Sequence, residues 1–463
     1  MISSGRRVAI AIAFLGLLTA VGCVRIREIR TEFPAPAQIK DTTPLSLPTS
    51  LPPDCNVGSP ESRENRHVFE DYGSYELGFA EFDDQGWSYE GDRQLAAIKQ
   101  RLHAELNDPA YHDMDFVTLV FVHGWHHNAH DNDCNVQEVR QMLRIASEKF
   151  EAARQADPSR RRRRVFGIYV GWRGEAVNAW LLRYTTILDR RDAAEKVAKG
   201  SVRQLLADLH EQQLVAQNAA GDRKTEAERA ARMYTIVVGH SFGGLIVFNS
   251  LSQQLITDLT AAADRACTPA DAVGETRPWP DNVVLVNPAF ESTRFEPLNR
   301  LADRAAQCGY APAHPLLTVV TADDDRWTGP VFTAGRSVLT LFEGYDDSSP
   351  QARNNERNAN IHAIGFVDRY RTHRLCLHQG ANGLYATASA MLTPQSTANP
   401  QTVDKRAVWV VGAPPDIVYG HDGFLYARKT KGSPQPYLLD WLVATHVSPA
   451  DAVSAPDSCP RWP

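Results

Sequence analysis

Ile236-Val237-Val238-Gly239-His240-Ser241-Phe242-Gly243-Gly244-Leu245-Ile246-Val247-Phe248 reads as strand, sharp turn and helix, in that order. The apolar run before Gly239 suits a buried strand. Beyond Ser241, apolar residues at 244, 248, 251, 255 and 259 keep a helical spacing suited to packing on a sheet. Gly-x-Ser-x-Gly in this context turns the chain so tightly that a serine is pushed out of the strand end, and the flanking glycines leave room where a Cβ would block. Ser241 is therefore a candidate nucleophile.

Outward from this turn the chain alternates between the two element types. Residues 116–122 form a continuous apolar run of the kind buried on both faces of a sheet. Further strands are expected at 76–82, 165–170, 283–286, 316–320 and 407–411, and helices at 94–106, 135–156 and 193–214. Such alternation specifies an α/β fold, a mostly parallel sheet with helices on both faces. Ligands of such sheets sit at the carboxyl ends of the strands.

A serine hydroxyl needs a base in hydrogen-bond reach, and the base needs a carboxylate to orient it. Asp323, Asp324 and Asp325 follow the strand at 316–320, and Glu291 follows the one at 283–286, so the residues leave the acid open. Among the histidines, His362, His373 and His378 compete with His421, which sits in the glycine-flanked loop Tyr419-Gly420-His421-Asp422-Gly423. The order Ser, Asp, His results. Val122-His123-Gly124-Trp125 ends the strand at 116–122, where the backbone N–H groups of Trp125 and Phe242 are expected to form an oxyanion hole.

With these residues in view, the chain resembles an α/β-hydrolase, and more narrowly an uncharacterised bacterial serine-hydrolase-like group. The resemblance covers residues 66 to 445. It rests on Glu81-Phe82-Asp83-Asp84-Gln85-Gly86, on His123-Gly124-Trp125 followed by Asp133 and Asn135, and on Tyr184 and Asp189. It also rests on Thr321-Ala322-Asp323-Asp324-Asp325-Arg326-Trp327-Thr328 with Phe332 and Gly335-Arg336 beyond, and on Gly420-His421. It implies a hydrolase with Asp325 as the acid and Asp324 as the alternative. It implies no substrate.

His126, His127, His130, Asp131 and Asp133 crowd the segment after Gly124, and histidines at i and i+4 can share a metal. The serine set is complete without them, so they are expected at the pocket rim, with no metal and no cofactor. Trp125, Trp172, Phe242, Phe290 and Trp327 each fall just past a strand end. They predict an aromatic-lined mouth for an apolar acyl or aryl group, with His123, Gly124 and His240 completing the pocket.

The 463 residues are 43% hydrophobic and carry a net charge of −6, enough for a large core and unsuited to general nucleic-acid binding. The arginines at 160–164 read as a solvated loop. Residues 1–22 read as a signal peptide, with Arg6-Arg7, an apolar run and a lipobox-like Ala20-Val21-Gly22-Cys23. Cys23 is expected to carry lipid, residues 23–63 to form a proline-rich tether, 64–447 the catalytic domain and 448–463 an irregular tail. The expectation is a monomer on the cell envelope, outer membrane included, facing periplasm or exterior, with a small acyl substrate. Six further cysteines permit three disulfides in an oxidising compartment, Cys267 with Cys308 among the pairings considered. The alternatives are a catalytically silent binding lipoprotein and a metal-dependent hydrolase. A lid within 173–232 is left open.

Overall fold

The computed structural model describes residues 27–33, 65–174, 186–221, 233–268, 277–380, 383–391, 405–424, 436–447, 452–454 and 459. In chain order the strands are β1 (Phe69–Asp71), β2 (Tyr75–Phe82), β3 (Met114–Val122), β4 (Arg162–Trp172), β5 (Met233–His240) and β6 (Asn282–Val286). They continue as β7 (Leu317–Ala322), β8 (His373–Gly380), β9 (Gly383–Ala390), β10 (Val408–Ala413) and β11 (Val453–Ser454). The helices are α1 (Arg93–Asn107), α2 (Cys134–Ala156), α3 (Ile187–Lys199), α4 (Val202–Gly221) and α5 (Phe242–Cys267). After them come α6 (Glu296–Gln307), α7 (Phe332–Leu339), α8 (Pro350–Ile361) and α9 (Tyr437–Val447).

All eleven strands join one sheet in the order β1-β2-β4-β3-β5-β6-β7-β10-β8-β9-β11. From β2 through to β8 every neighbouring pair is parallel; β1 and β9 run against their partners β2 and β8. This is the expected α/β architecture. Side chains of β3 alternate between the two faces: Phe116, Val120 and Val122 join one core, Val117, Leu119 and Phe121 the other. The first core packs under α1, α3, α4, α5 and α6, the second under α2 and α9. Burial on both faces explains why the central strands read as unbroken apolar runs.

Four expectations are corrected. The single helix at 193–214 is two, α3 and α4, separated at Gly200. A Cβ on Gly200 would lie 2.1 Å from the Gly86 carbonyl oxygen, and Ser201 N–H donates to that oxygen at 2.7 Å, so the helix stops to accept the β2–α1 turn. The arginine run at 160–164 is a loop only at Arg160 and Arg161, because Arg162–Trp172 is one strand and Arg164 is buried against Glu105 at 3.0 Å. Residues 27–33 leave the tether and pack on the body, with Arg30 fully buried. The tail is tied down too, since β11 pairs with β9 and Cys459 is bonded to Cys376. Cys267 joins Cys308 as considered, and Cys134 is also disulfide-bonded. The signal peptide, Cys23, the tether at 34–63 and Tyr184 lie outside the described residues.

Candidate active site

Ser241 closes β5 and caps α5 with φ +55° and ψ −118°, a conformation non-glycine residues rarely hold. Its N–H donates to Val286 O at 3.0 Å, and its carbonyl accepts from Ala289 N–H at 3.1 Å, which fixes the turn to the end of β6. Close approach demands the small residues around it. A Cβ on Gly243 would lie 2.0 Å from Val122 O, and one on Gly124 would lie 2.9 Å from Ser241 Cβ. The His123-Gly124-Trp125 turn is thereby pressed against the serine.

The loops after β7 and β10 bring the remaining groups. His421 Nε2 lies 2.8 Å from Ser241 Oγ, and its Nδ1 lies 2.9 Å from Asp325 Oδ2. A proton on Nδ1 lets the imidazole donate to the carboxylate and accept from the hydroxyl. Asp325 is buried and also accepts from Trp327 N–H at 2.8 Å and from the Thr328 hydroxyl. Burial would push its pKa up, but the His421 charge and these donors outweigh burial and hold it below the usual aspartate range. For His421 burial acts downward, and the Asp325 charge and hydrogen bond, with Asp422, outweigh it, so its pKa stands raised.

The neighbouring aspartates have other partners. Asp323 forms an ion pair with Arg374 at 2.6 Å, and Asp324 accepts from Gly420 N–H at 2.8 Å, steadying the histidine loop. Glu291 is held among Arg191, Arg294 and Arg336. The competing histidines are elsewhere: His362 bonds its own helix at Asn358 O, His373 stacks on Trp409, and His378 lies beside Cys376.

The crowded segment after Gly124 is pinned by one carboxylate. Asp133 is fully buried, caps α2 through Asn135 N–H at 2.8 Å, accepts from Asn128 N–H at 3.1 Å and pairs with His127 Nδ1 at 3.0 Å. Burial lowers the His127 pKa, yet Asp133 outweighs it and lifts the value to about 9. Asp131 bonds Arg140. His240, His421 and Asp422 also cluster, but both ring nitrogens of His421 are engaged by Asp325 and Ser241.

A cavity of about 330 Å³ opens onto Ser241 and His421. Trp125, Phe242 and Trp327 line it as expected, and Trp125 meets Trp327 edge-on at 6.0 Å. Five pocket expectations are corrected, the first being Gly124, which is buried and outside the cavity lining. Trp172 is buried, stacked on His123, with its indole N–H donating to His123 O at 2.9 Å. Phe290 is fully buried against Phe248. His123 is fully buried and accepts from Trp172 N–H, and burial pushes its pKa down to about 4, so it is a neutral brace for the turn. His240 is buried behind His421, donates to its carbonyl at 2.9 Å, and has its pKa pushed down to about 3 by burial and by His421.

Several residues were given no pocket role by the sequence, Phe332 and Arg336 having been quoted only for the resemblance. Ile187, Leu188 and Arg191 of α3 line the cavity, as do Val331, Phe332, Arg336 and Leu339 around α7. The first three fall in the segment where a lid was left open, and apolar residues unmatched to any core stripe were the available signal. Asn287 was also missed. It is fully buried with φ +45°, donates from Nδ2 to His421 O at 2.8 Å, and accepts from Ala322 N–H at 2.9 Å. An asparagine at positive φ directly after a strand was its signal.

No family model and no curated protein matches the sequence. Among solved structures, phospholipase PlaB from Legionella pneumophila is similar at 12% identity and a TM-score of 0.28, over 72% of this chain and 59% of that one. The chain thus spans about three fifths of that protein's length. The same phospholipase in complex with thio-NAD is similar at 13% identity and a TM-score of 0.22, over 59% and 48% of the two chains. A T. brucei arginase-like protein is similar at 8% identity and a TM-score of 0.19, over 79% and 98%. Likenesses this slight assign no family and no activity.

Proposed function

We propose that the chain is a serine hydrolase that cleaves an ester or related acyl bond through Ser241, His421 and Asp325. The observation that carries this reading is the unbroken run of contacts, Ser241 Oγ to His421 Nε2 at 2.8 Å and His421 Nδ1 to Asp325 at 2.9 Å. His421 takes the hydroxyl proton as Ser241 Oγ attacks the carbonyl carbon. The resulting oxyanion is met by the Trp125 and Phe242 N–H groups. The proton passes to the leaving oxygen, and an acyl-serine remains. Water, deprotonated by the same imidazole, releases the acid and regenerates Ser241.

An adventitious Ser–His–Asp contact would leave the serine chemically ordinary, whereas this serine should react with a fluorophosphonate. Labelling is expected for the native chain and lost in Ser241→Ala. A native chain that stays unlabelled, or a variant that still labels, ends the proposal. We place the protein on the envelope through lipid at Cys23, a reading favoured by its disulfides, which persist in oxidising compartments. Metabolic incorporation of labelled palmitate, absent in Cys23→Ser, is the corresponding measurement.

A further inference from the structure

Arg191, Arg336 and the exposed Asp422 line the cavity at Ser241, and apolar side chains take up much of the rest of its mouth. Four of its apolar lining side chains reach solvent: Leu188 is 56% exposed, Trp327 39%, Val331 46% and Leu339 51%. Immediately beside them Val338, Leu341 and Phe342 are exposed by 67%, 70% and 101%. Leu341 and Phe342 lie two and three residues past Leu339, at most about 11 Å away along the chain. Helix α7 buries none of its own residues. Scattered apolar residues on a surface need no explanation, but a contiguous patch around a cavity mouth does.

The second observation is where the amino-terminal segment enters the fold. The N–H groups of Ile29 and Arg30 donate to the Glu81 carboxylate, and Arg30 Nε donates to Ala129 O at 2.8 Å. Glu81 lies at the carboxyl end of β2, and Ala129 in the loop that carries Trp125. Both belong to the sheet edge that carries Ser241. Cys23 precedes Ile29 by six residues, a reach of about 20 Å when extended. A lipid there would tether the chain to a membrane from this edge of the sheet.

We infer that the apolar surface made by Leu188, Trp327, Val331, Val338, Leu341 and Phe342 seats on a lipid bilayer, so that an acyl chain passes from the membrane into the cavity at Ser241. The inference rests on the serine-hydrolase reading and narrows its substrate to a membrane-resident acyl ester. Seating is peripheral, since no helix among the described residues is long and apolar enough to cross a membrane. Glu343, Asp346 and Asp347 follow the patch directly and carry the wrong sign for anionic headgroups. Attraction is therefore apolar, indifferent to salt, and as strong on phosphatidylcholine as on anionic lipid.

The test uses the full chain carrying Phe342→Cys, labelled with an environment-sensitive fluorophore, and phosphatidylcholine vesicles. Ser159→Cys, exposed in the turn before β4 at the opposite sheet edge, is the control. Vesicles should blue-shift the label at 342 equally at low and high salt and leave that at 159 unmoved. No shift at 342, equal shifts at both sites, or a shift that grows with protein concentration without vesicles would overturn the inference; the last would identify a second copy as the occupant. In the double variant Leu341→Asp/Phe342→Asp, turnover of a long-chain ester in vesicles should fall about tenfold or more, with a soluble short-chain ester changed less than about twofold. Equal loss on both esters would count against seating. Fluorophosphonate labelling reports separately on the serine, so failure of the hydrolase reading would leave the fluorophore result interpretable.

Discussion

At the scale of single residues, the site depends on one carboxylate chosen from three. Consecutive residues past a strand end point in different directions, so Asp323 meets Arg374, Asp324 meets the Gly420 amide, and Asp325 alone reaches His421. That choice was not legible in the residues, because it depends on loop geometry after β7 and not on side-chain chemistry; the family resemblance supplied it. The raised pKa of His421 has a kinetic consequence. The base works only when neutral, so kcat/KM for a soluble aryl ester should rise with pH through an apparent pKa above the ordinary 6.5. A profile flat from about pH 5 to 8 would contradict the role of His421. Asp325→Asn removes the charge that raises this pKa and the acceptor that fixes the proton on Nδ1. We expect about a 10⁴-fold drop in kcat, as in other triads so altered, with the residual acid limb moved to lower pH.

At the scale of elements, the strands flanking the site were legible because burial on both faces leaves a continuous apolar run, as in β3 and β5. The β8–β9 hairpin was not, since His373 to Gly380 mixes charged, apolar and polar residues and its burial fades toward the turn. The break between α3 and α4 was hidden for another reason: the apolar spacing continues through Gly200, and only the approach of Gly86 shows that a helix cannot. Gly200→Ala should cost about 1–3 kcal/mol of stability, read as a lower midpoint in denaturant, because the intruding atom is backbone and cannot step aside. Asn287 ties three elements together, receiving the Ala322 amide at the end of β7 while holding the His421 carbonyl from just past β6. In Asn287→Ala the histidine loop loses its brace. A displacement of about 1 Å at His421 lowers kcat on the order of 10²-fold. KM for a soluble ester should change little, since Asn287 does not line the cavity. A variant with unchanged kcat would show that Asp324 and Gly420 suffice to hold the loop.

At the scale of the whole molecule, residues 27–33 are part of the body. Arg30 is fully buried and shares Glu70 with Arg140, at 2.8 Å and 2.6 Å. Burial would raise the Glu70 pKa, but the two guanidiniums outweigh it and hold it at about 2. A depressed carboxylate stabilises the folded state above its unfolded pKa near 4.5, and that contribution disappears as pH falls from there toward 2. Taking the Arg30 guanidinium away leaves Glu70 paired with Arg140 but removes the hydrogen bonds of Arg30 to Glu70 and to Ala129 O. Arg30→Ala should therefore cost about 1.5–3 kcal/mol near neutral pH, and the deficit measured by denaturant midpoint should shrink in acid. Arg30→Ala leaves the backbone N–H groups of residues 29 and 30 able to reach Glu81, but it loosens the clasp through which a lipidated Cys23 would hold the carboxyl edge of the sheet. Turnover of an ester in vesicles should then fall more than turnover of a soluble ester under conditions where the variant stays folded. Equal losses would mean that the clasp serves stability alone and does not orient the cavity toward the membrane.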